Sequence, residues 1–299
     1  MSLIKDICRK HSLSVTEVFT AGHVCPAVYK AQDRYGKPVV VKVGNNTATI
    51  QEIAKNLEGY KMLKKIGLDC ICPNIYFAEV RQESALIVME YCGKDLHSTL
   101  EISLNPETVF HELVSQLKNV YKSSVRTESP VKSIQMVLSK ILEQYDMYLA
   151  TVFDRSYQLQ SVLDVLPSRI NIEAFRLSCF SSWDFTPRNV FLTKNGLKYI
   201  DCNDNVMGIP IIDLACFAGA VRDIHSFPGS IDGYDFLANF AVDEIADMLE
   251  IDPVQSLRLF YLGRLLQLFL GARFRINTDP ILAKKFYENA VEFLKKITA

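Results

Sequence analysis

Ser182-Trp183-Asp184-Phe185-Thr186-Pro187-Arg188-Asn189, followed by Tyr199-Ile200-Asp201, is the stretch on which the reading of this chain turns. It holds an Asp, an Asn five positions later, and a second Asp closing a short apolar run. Transfer of a phosphoryl group from a nucleotide needs one carboxylate to position the attacking hydroxyl. It also needs oxygen ligands that hold a divalent cation on the phosphates. A single Asp carries no such meaning, but three further features stand upstream in the order that this chemistry demands.

The first is Lys42, at the end of Lys37-Pro38-Val39-Val40-Val41-Lys42-Val43. The β-branched run predicts a buried strand, since a strand covered on both faces loses its apolar/polar alternation. A lysine there is expensive to bury unless anions meet it, and phosphate oxygens plus a carboxylate would do so. The second is the carboxylate expected to pair with it. Glu58 lies in a helical pattern of Ile53, Leu57, Tyr60, Leu63 and Ile66 that stops at Gly67. Glu52 is the weaker rival, because acids are common near a helix N-terminus for dipole reasons alone. The third is Leu86-Ile87-Val88-Met89-Glu90-Tyr91-Cys92-Gly93, an apolar strand running into a polar turn. In a two-lobed kinase such a strand and turn connect the lobes, which would put Met89 at the back of the base pocket and the backbone from Glu90 through Tyr91 to Cys92 against the purine edge.

This order, completed by Gly208-Ile209-Pro210-Ile211-Ile212-Asp213-Leu214-Ala215, resembles the aminoglycoside phosphotransferase/choline-kinase branch of the protein-kinase-like fold. The resemblance covers roughly residues 15 to 220 by motif order, with the remaining C-terminal residues matching as a helical block. It implies an enzyme that moves the γ-phosphoryl group of ATP or GTP, with Mg²⁺, to a hydroxyl of an amine-bearing or sugar-like acceptor, antibiotics among them. By the same resemblance Asp184 is the catalytic base or hydroxyl-orienting group, Asn189 and Asp201 are the metal ligands, and Lys42, paired with Glu58, holds the α- and β-phosphates. Oxygen-only ligation suits Mg²⁺. Asp213 reads as structural support for the catalytic loop, with a solvated N-cap as its plain alternative.

Three departures from the family pattern stand out. Ser182 occupies the position where the family usually has His, which puts the bracing of the loop in question. Trp183 is the only Trp, and either packs under the loop or touches substrate. The nucleotide-covering segment Phe19-Thr20-Ala21-Gly22-His23-Val24 has Gly22 alone where a glycine run is usual, and His23 is its candidate phosphate contact. Cys202-Asn203 follows Asp201 where protein kinases carry Phe-Gly, and eleven residues separate Asp201 from Asp213. That leaves no room for an activation loop and argues for a small-molecule acceptor. Two other readings use the same residues: a kinase-like nucleotide-binding module without turnover, and a protein kinase.

The predicted fold class is α+β. A small antiparallel-sheet lobe (residues 1–95, opened by a short helix) binds nucleotide, and a larger, mostly helical lobe (96–299) carries catalysis and substrate binding. Strands are expected at 15–19, 28–32, 39–43, 75–80 and 86–90, with one helix from about 49 to 66. Beyond residue 96 the pattern is helical, broken by a hairpin whose turn signal is Asn195-Gly196. Asp252-Pro253 and Asp279-Pro280 read as helix starts.

Bulk properties exclude more than they select. The 299 residues suffice for two lobes. A net charge of −1 offers no electrostatic footprint for nucleic acid. Residues 1–96 hold 13 Lys+Arg against 10 Asp+Glu, and residues 97–299 hold 20 against 24. A mildly acidic second half suits a cationic acceptor, for which Asp204, Asp223 and the cluster Asp243, Glu244 and Asp247 are candidates. The eight Cys show no paired metal-site spacing and read as reduced thiols of a cytoplasmic protein. Leu257 to Phe274 is interrupted by three Arg and a Gln, so it predicts a packed helix and no membrane span. Monomer and homodimer remain equal alternatives.

Overall fold

A computed structural model describes residues 2–19, 26–144, 168–182, 185–202, 207–221 and 236–298. Gly22, His23, Trp183, Asp184, Asp204 and Asp223 lie outside the described residues. The chain forms two compact units, Met1–Leu96 with Asn189–Val206, and His97–Arg188 with Met207–Ala299.

The first unit opens with helix α1 (Ser2–His11) and strands β1 (Ser14–Phe19), β2 (Ala27–Gln32) and β3 (Pro38–Gly44). Helix α2 (Thr47–Lys65) precedes β4 (Ile75–Val80) and β5 (Ala85–Glu90). The strands make one antiparallel sheet in the order β1-β2-β3-β5-β4. Both faces of its centre are covered. On one, Val39, Val41 and Val43 pack with Ala31, Leu86, Val88 and Ile7 of α1. On the other, Ala85, Ile87 and Met89 pack with Ile53 of α2, and Val40, Ile50 and Leu57 join them. This double cover is why β3 reads as an unbroken apolar run.

Helix α2 starts at a reciprocal cap. The Asn46 side chain accepts from Thr49 N (3.0 Å), while Thr49 Oγ1 accepts from Asn46 N (3.2 Å). It stops at Gly67, whose φ of +83° suits glycine and lets Leu68 N reach back to Leu63 O at 2.8 Å. The same unit includes the hairpin of β6 (Val190–Thr193) and β7 (Gly196–Tyr199), while a short pairing of Cys179–Phe180 with Met207–Gly208 belongs to the second unit. Its turn residues are Lys194 and Asn195, because Gly196 already pairs with Thr193 as the first residue of β7. The predicted Asn-Gly turn is therefore shifted by one residue, and Gly196 supplies a φ of +110° at the strand's start.

The second unit is built from α3 (Leu96–Ile102), α4 (Pro106–Ser124), α5 (Val131–Gln144), α6 (Pro210–Gly219), α7 (Pro253–Arg275) and α8 (Pro280–Thr298). Asp252 caps α7 by accepting from Val254 N (3.0 Å) and Gln255 N (3.1 Å), with Pro253 in the first turn. Helices α6 and α7 cross at a glycine. A Cβ at Gly263 would lie 2.3 Å from Ile212 O and 2.8 Å from Ala215 Cβ, so the two backbones approach as only glycine allows. Among the described residues no helix is long and apolar enough to cross a membrane.

Candidate active site

In the first unit the site grows from β3. Pairing of Lys42 with Ile87 and with Val28 points the lysine to the α2 side of the sheet. There it is 4% exposed and forms an ion pair with the carboxylate of Asp201, 159 positions along the chain. Its ammonium also donates to Asn56 Oδ1 at 3.3 Å. Asn56, itself 4% exposed, donates from Nδ2 to the carbonyl of Cys202 at 3.3 Å.

The expected pairing of Lys42 with Glu58 is not what the structure contains. Glu58 is exposed and bonded to Lys61 at 2.7 Å. Helical geometry gives the reason. The buried stripe of α2 runs through Thr49, Ile53, Asn56, Tyr60 and Leu63. Glu58, two residues past Asn56, stands about 200° around the helix from it. Glu52, one turn before Asn56, is half-buried and shares the lysine's side. Burial raises its carboxyl above the ordinary value, Lys42 opposes that rise, and the Asp201 charge adds to it.

Asp201 is held in an uncommon conformation, with φ +58° in the left-handed region that a non-glycine residue enters at a cost of about 1 kcal/mol. It follows β7, and Ile200 N donates to Asn189 O at 2.9 Å across the open end of the hairpin. Asn189 and Asp201 therefore stand together at one end of one hairpin, Asn189 buried and Asp201 half-buried. Lys198, on the intervening strand, donates to Cys70 O (2.9 Å) and Cys72 O (2.8 Å) and ties the hairpin to the 3-10 turn Asp69–Ile71. Tyr60 is buried, its phenol pushed well above the ordinary value by desolvation and by nearby Cys202, Asp201 and Cys72.

At the end of β5, Met89 is buried on the same sheet face as Lys42 and packs into the α2 cluster. Glu90 is anchored at both its backbone and its carboxylate. Its N–H donates to Asn74 O at 2.8 Å, while Oε2 accepts from Asn74 N (3.0 Å) and Nδ2 (2.8 Å). The ammonium of Lys30 lies 4.4 Å from the centroid of the Tyr91 ring. Cys92 follows half-buried, its thiol pushed up to about 11 chiefly by burial.

In the second unit the segment that flanks Asp184 is fastened from below. Asp213, in the first turn of α6, is buried and accepts from Ser181 Oγ at 2.7 Å and from the amide of Ser182. Burial lifts its carboxyl to about 7, with those two hydrogen bonds and the Lys140 charge pulling the other way. Phe185 N donates to Ser182 O at 3.2 Å, and the Phe185 ring packs on Phe217 of α6 with centroids 5.1 Å apart. His97 N donates to Pro187 O at 3.1 Å. Gly208 is required by crowding: a Cβ there would meet Ser133 Oγ at 2.5 Å and Ser181 Oγ at 2.9 Å. Of the acidic cluster, Glu244 is paired with Lys118 at 2.6 Å, and Asp243 and Asp247 are exposed.

Two residues of this arrangement escape the sequence reading. Asn56 had a visible signal, a polar residue set between Ile53 and Tyr60 on the buried helical stripe. Ser181 had none, since its neighbour Ser182 occupies the position that the family pattern marks.

Solved structures share this architecture. The choline kinase LicA of Streptococcus pneumoniae matches with a TM-score of 0.57 at 19% identity, covering 99% of this chain and 100% of that one. An aminoglycoside-3'-phosphotransferase of type VIII matches at 0.56 and 12% identity, covering 88% and 97%. A ternary complex of streptomycin, ATP and APH(2'')-IIa matches at 0.54 and 11% identity, covering 97% and 95%. No family model matches the sequence, and no curated protein matches it. The chain thus has the two-lobed protein-kinase-like fold, with a five-stranded antiparallel sheet in one part and helices dominating the other, as in these small-molecule kinases.

Proposed function

We propose that this chain is a small-molecule O-kinase, transferring the γ-phosphoryl group of ATP or GTP to a hydroxyl of an amine-bearing or sugar-like acceptor. The observation that carries the reading is the meeting of Lys42 with Asp201 in one compact unit, beside Asn189. A buried cation adjoining hard oxygen donors is what a nucleotide's phosphates and their metal require. Kinase and phosphotransferase neighbours, one of them solved as a ternary complex with streptomycin and ATP, support the same reaction class.

In this reading Lys42 binds the α- and β-phosphates. The carboxylate of Asp201 and the amide oxygen of Asn189 fit Mg²⁺, as hard donors that leave positions for phosphate and water. Bound there, the ion would neutralise charge on the phosphates during transfer. Asp184 orients the acceptor hydroxyl and takes its proton, while Asp213, Ser181 and Ser182 hold the segment that presents it. Met89 lines the back of the base site, and the backbone from Glu90 to Cys92 meets the purine edge. Gly22 and His23 cover the phosphates; Trp183, Asp204 and Asp223 are acceptor contacts in this scheme.

The test is ADP or GDP release over a panel of amino sugars, amino alcohols and sugars, with the labelled product identified by mass. Asp184→Ala should abolish turnover while leaving nucleotide affinity within about threefold. Wild-type-like kcat in that variant refutes the assignment. Label appearing in protein in place of a small molecule would select a protein kinase, and tight nucleotide binding with no release over the panel a non-catalytic module.

A further inference from the structure

We propose that Asn56 is the positioning residue that couples the phosphate-binding lysine to the metal-binding carboxylate, a role that rests on the kinase reading above. One side chain touches both halves. Its Oδ1 accepts from Lys42 at 3.3 Å, and its Nδ2 donates to the carbonyl of Cys202, the residue after Asp201, at 3.3 Å. An amide suits this, because it offers an acceptor and a donor on one planar group. A carboxylate at position 56 would satisfy Lys42, but it could not donate to Cys202 O and would repel Asp201.

The arrangement matters because the two charges must part. Lys42 and Asp201 form an ion pair with each other. With a divalent cation at Asp201 and phosphate at Lys42, each group would exchange the other for a new partner, Lys42 buried and Asp201 half-buried. Asn56 supplies a neutral acceptor that stays with Lys42 through that exchange. Through Cys202 it also steadies the backbone that carries Asp201 at φ +58°. Its own burial and its seat on the packed stripe between Ile53 and Tyr60 keep it in place.

The experiment measures ATP and GTP affinity of the full chain calorimetrically, in EDTA and in excess Mg²⁺, together with the melting temperature. In the wild type Mg²⁺ should strengthen binding of at least one nucleotide. Asn56→Leu, similar in volume and without polar atoms, should reduce that Mg²⁺ enhancement by about tenfold, equivalent to about 1.4 kcal/mol. Asn56→Gln, retaining the amide, should recover part of it. If Asn56→Leu does not fold, Asn56→Ser, which is too short to span both partners, is read in the same way. A lower melting temperature with the full Mg²⁺ enhancement makes Asn56 a packing residue only and overturns the proposal, while the kinase reading stands. A wild type with no Mg²⁺-dependent nucleotide binding brings down the kinase reading itself.

Discussion

At the scale of single residues, the exchange of Glu58 for Asn56 beside Lys42 changes what a mutation should do. Glu58 bonds only with exposed Lys61 one turn on, a kind of contact that contributes little. Glu58→Ala should therefore leave nucleotide affinity within about twofold of wild type. A tenfold loss would return Glu58 to the lysine. Asp213 makes a different prediction. Its carboxyl stands at about 7 in the folded chain against 3.8 for the ordinary group. An acid whose pKa rises on folding is protonated in the native state where the unfolded chain has already released the proton. Its contribution to stability is then complete below pH 3.8 and declines as pH climbs from there to about 7, by no more than about 1.4 kcal/mol per pH unit. Denaturation profiles of wild type and Asp213→Asn should diverge across that window. Parallel profiles would mean that the bonds from Ser181 and Ser182 hold the carboxylate ionised.

At the scale of elements, strands were easier to read than rotational phase. The run Val39–Val43 announces a strand covered on both faces, and α1 and α2 provide the two covers. Helix α2 was equally visible, yet which of its acids turns toward β3 was not. A period of 3.6 fixes the angles between Glu52, Asn56 and Glu58, but the absolute rotation is set by how Ile53 and Leu57 seat on the sheet. The hairpin shows the same limit on a smaller scale. Asn195-Gly196 marks a turn correctly, and pairing of Thr193 with Gly196 moves its centre back by one residue. Packing of α6 on α7 yields the prediction proper to this scale. Gly263→Val would drive side-chain atoms into Ile212 O and Ala215, so the helices must separate, at a cost of roughly 1–3 kcal/mol or more. A melting temperature equal to wild type would show that the crossing tolerates bulk and that its glycine is incidental.

At the scale of the whole molecule, a common architecture survives 11–19% sequence identity to the three solved kinases compared above. Packing constraints preserve layers and connections while side chains drift, so a likeness of this kind speaks to the fold and leaves the acceptor open. The prediction at this scale concerns the metal. Asp201→Ala should abolish Mg²⁺-dependent nucleotide binding, and should also destabilise the first unit, because Lys42 then stays buried beside Asn56 without its ion-pair partner. Unchanged metal dependence in that variant would remove Asp201 from the ligand set.

By itself the sequence determined the order of strands and helices, the class of fold they define, and a set of residue types suited to phosphate and metal. The elements follow from periodicity and turn chemistry, which are local along the chain, and the class of fold from the resemblance that the motif order carries. Only the tertiary structure decided that the Asn56 amide and the Asp201 carboxylate, and not Glu58, meet Lys42, and that Ser181 joins Ser182 in gripping Asp213. Such pairings depend on how helices rotate against the surfaces they cover, and that rotation is settled by packing between segments far apart in the chain.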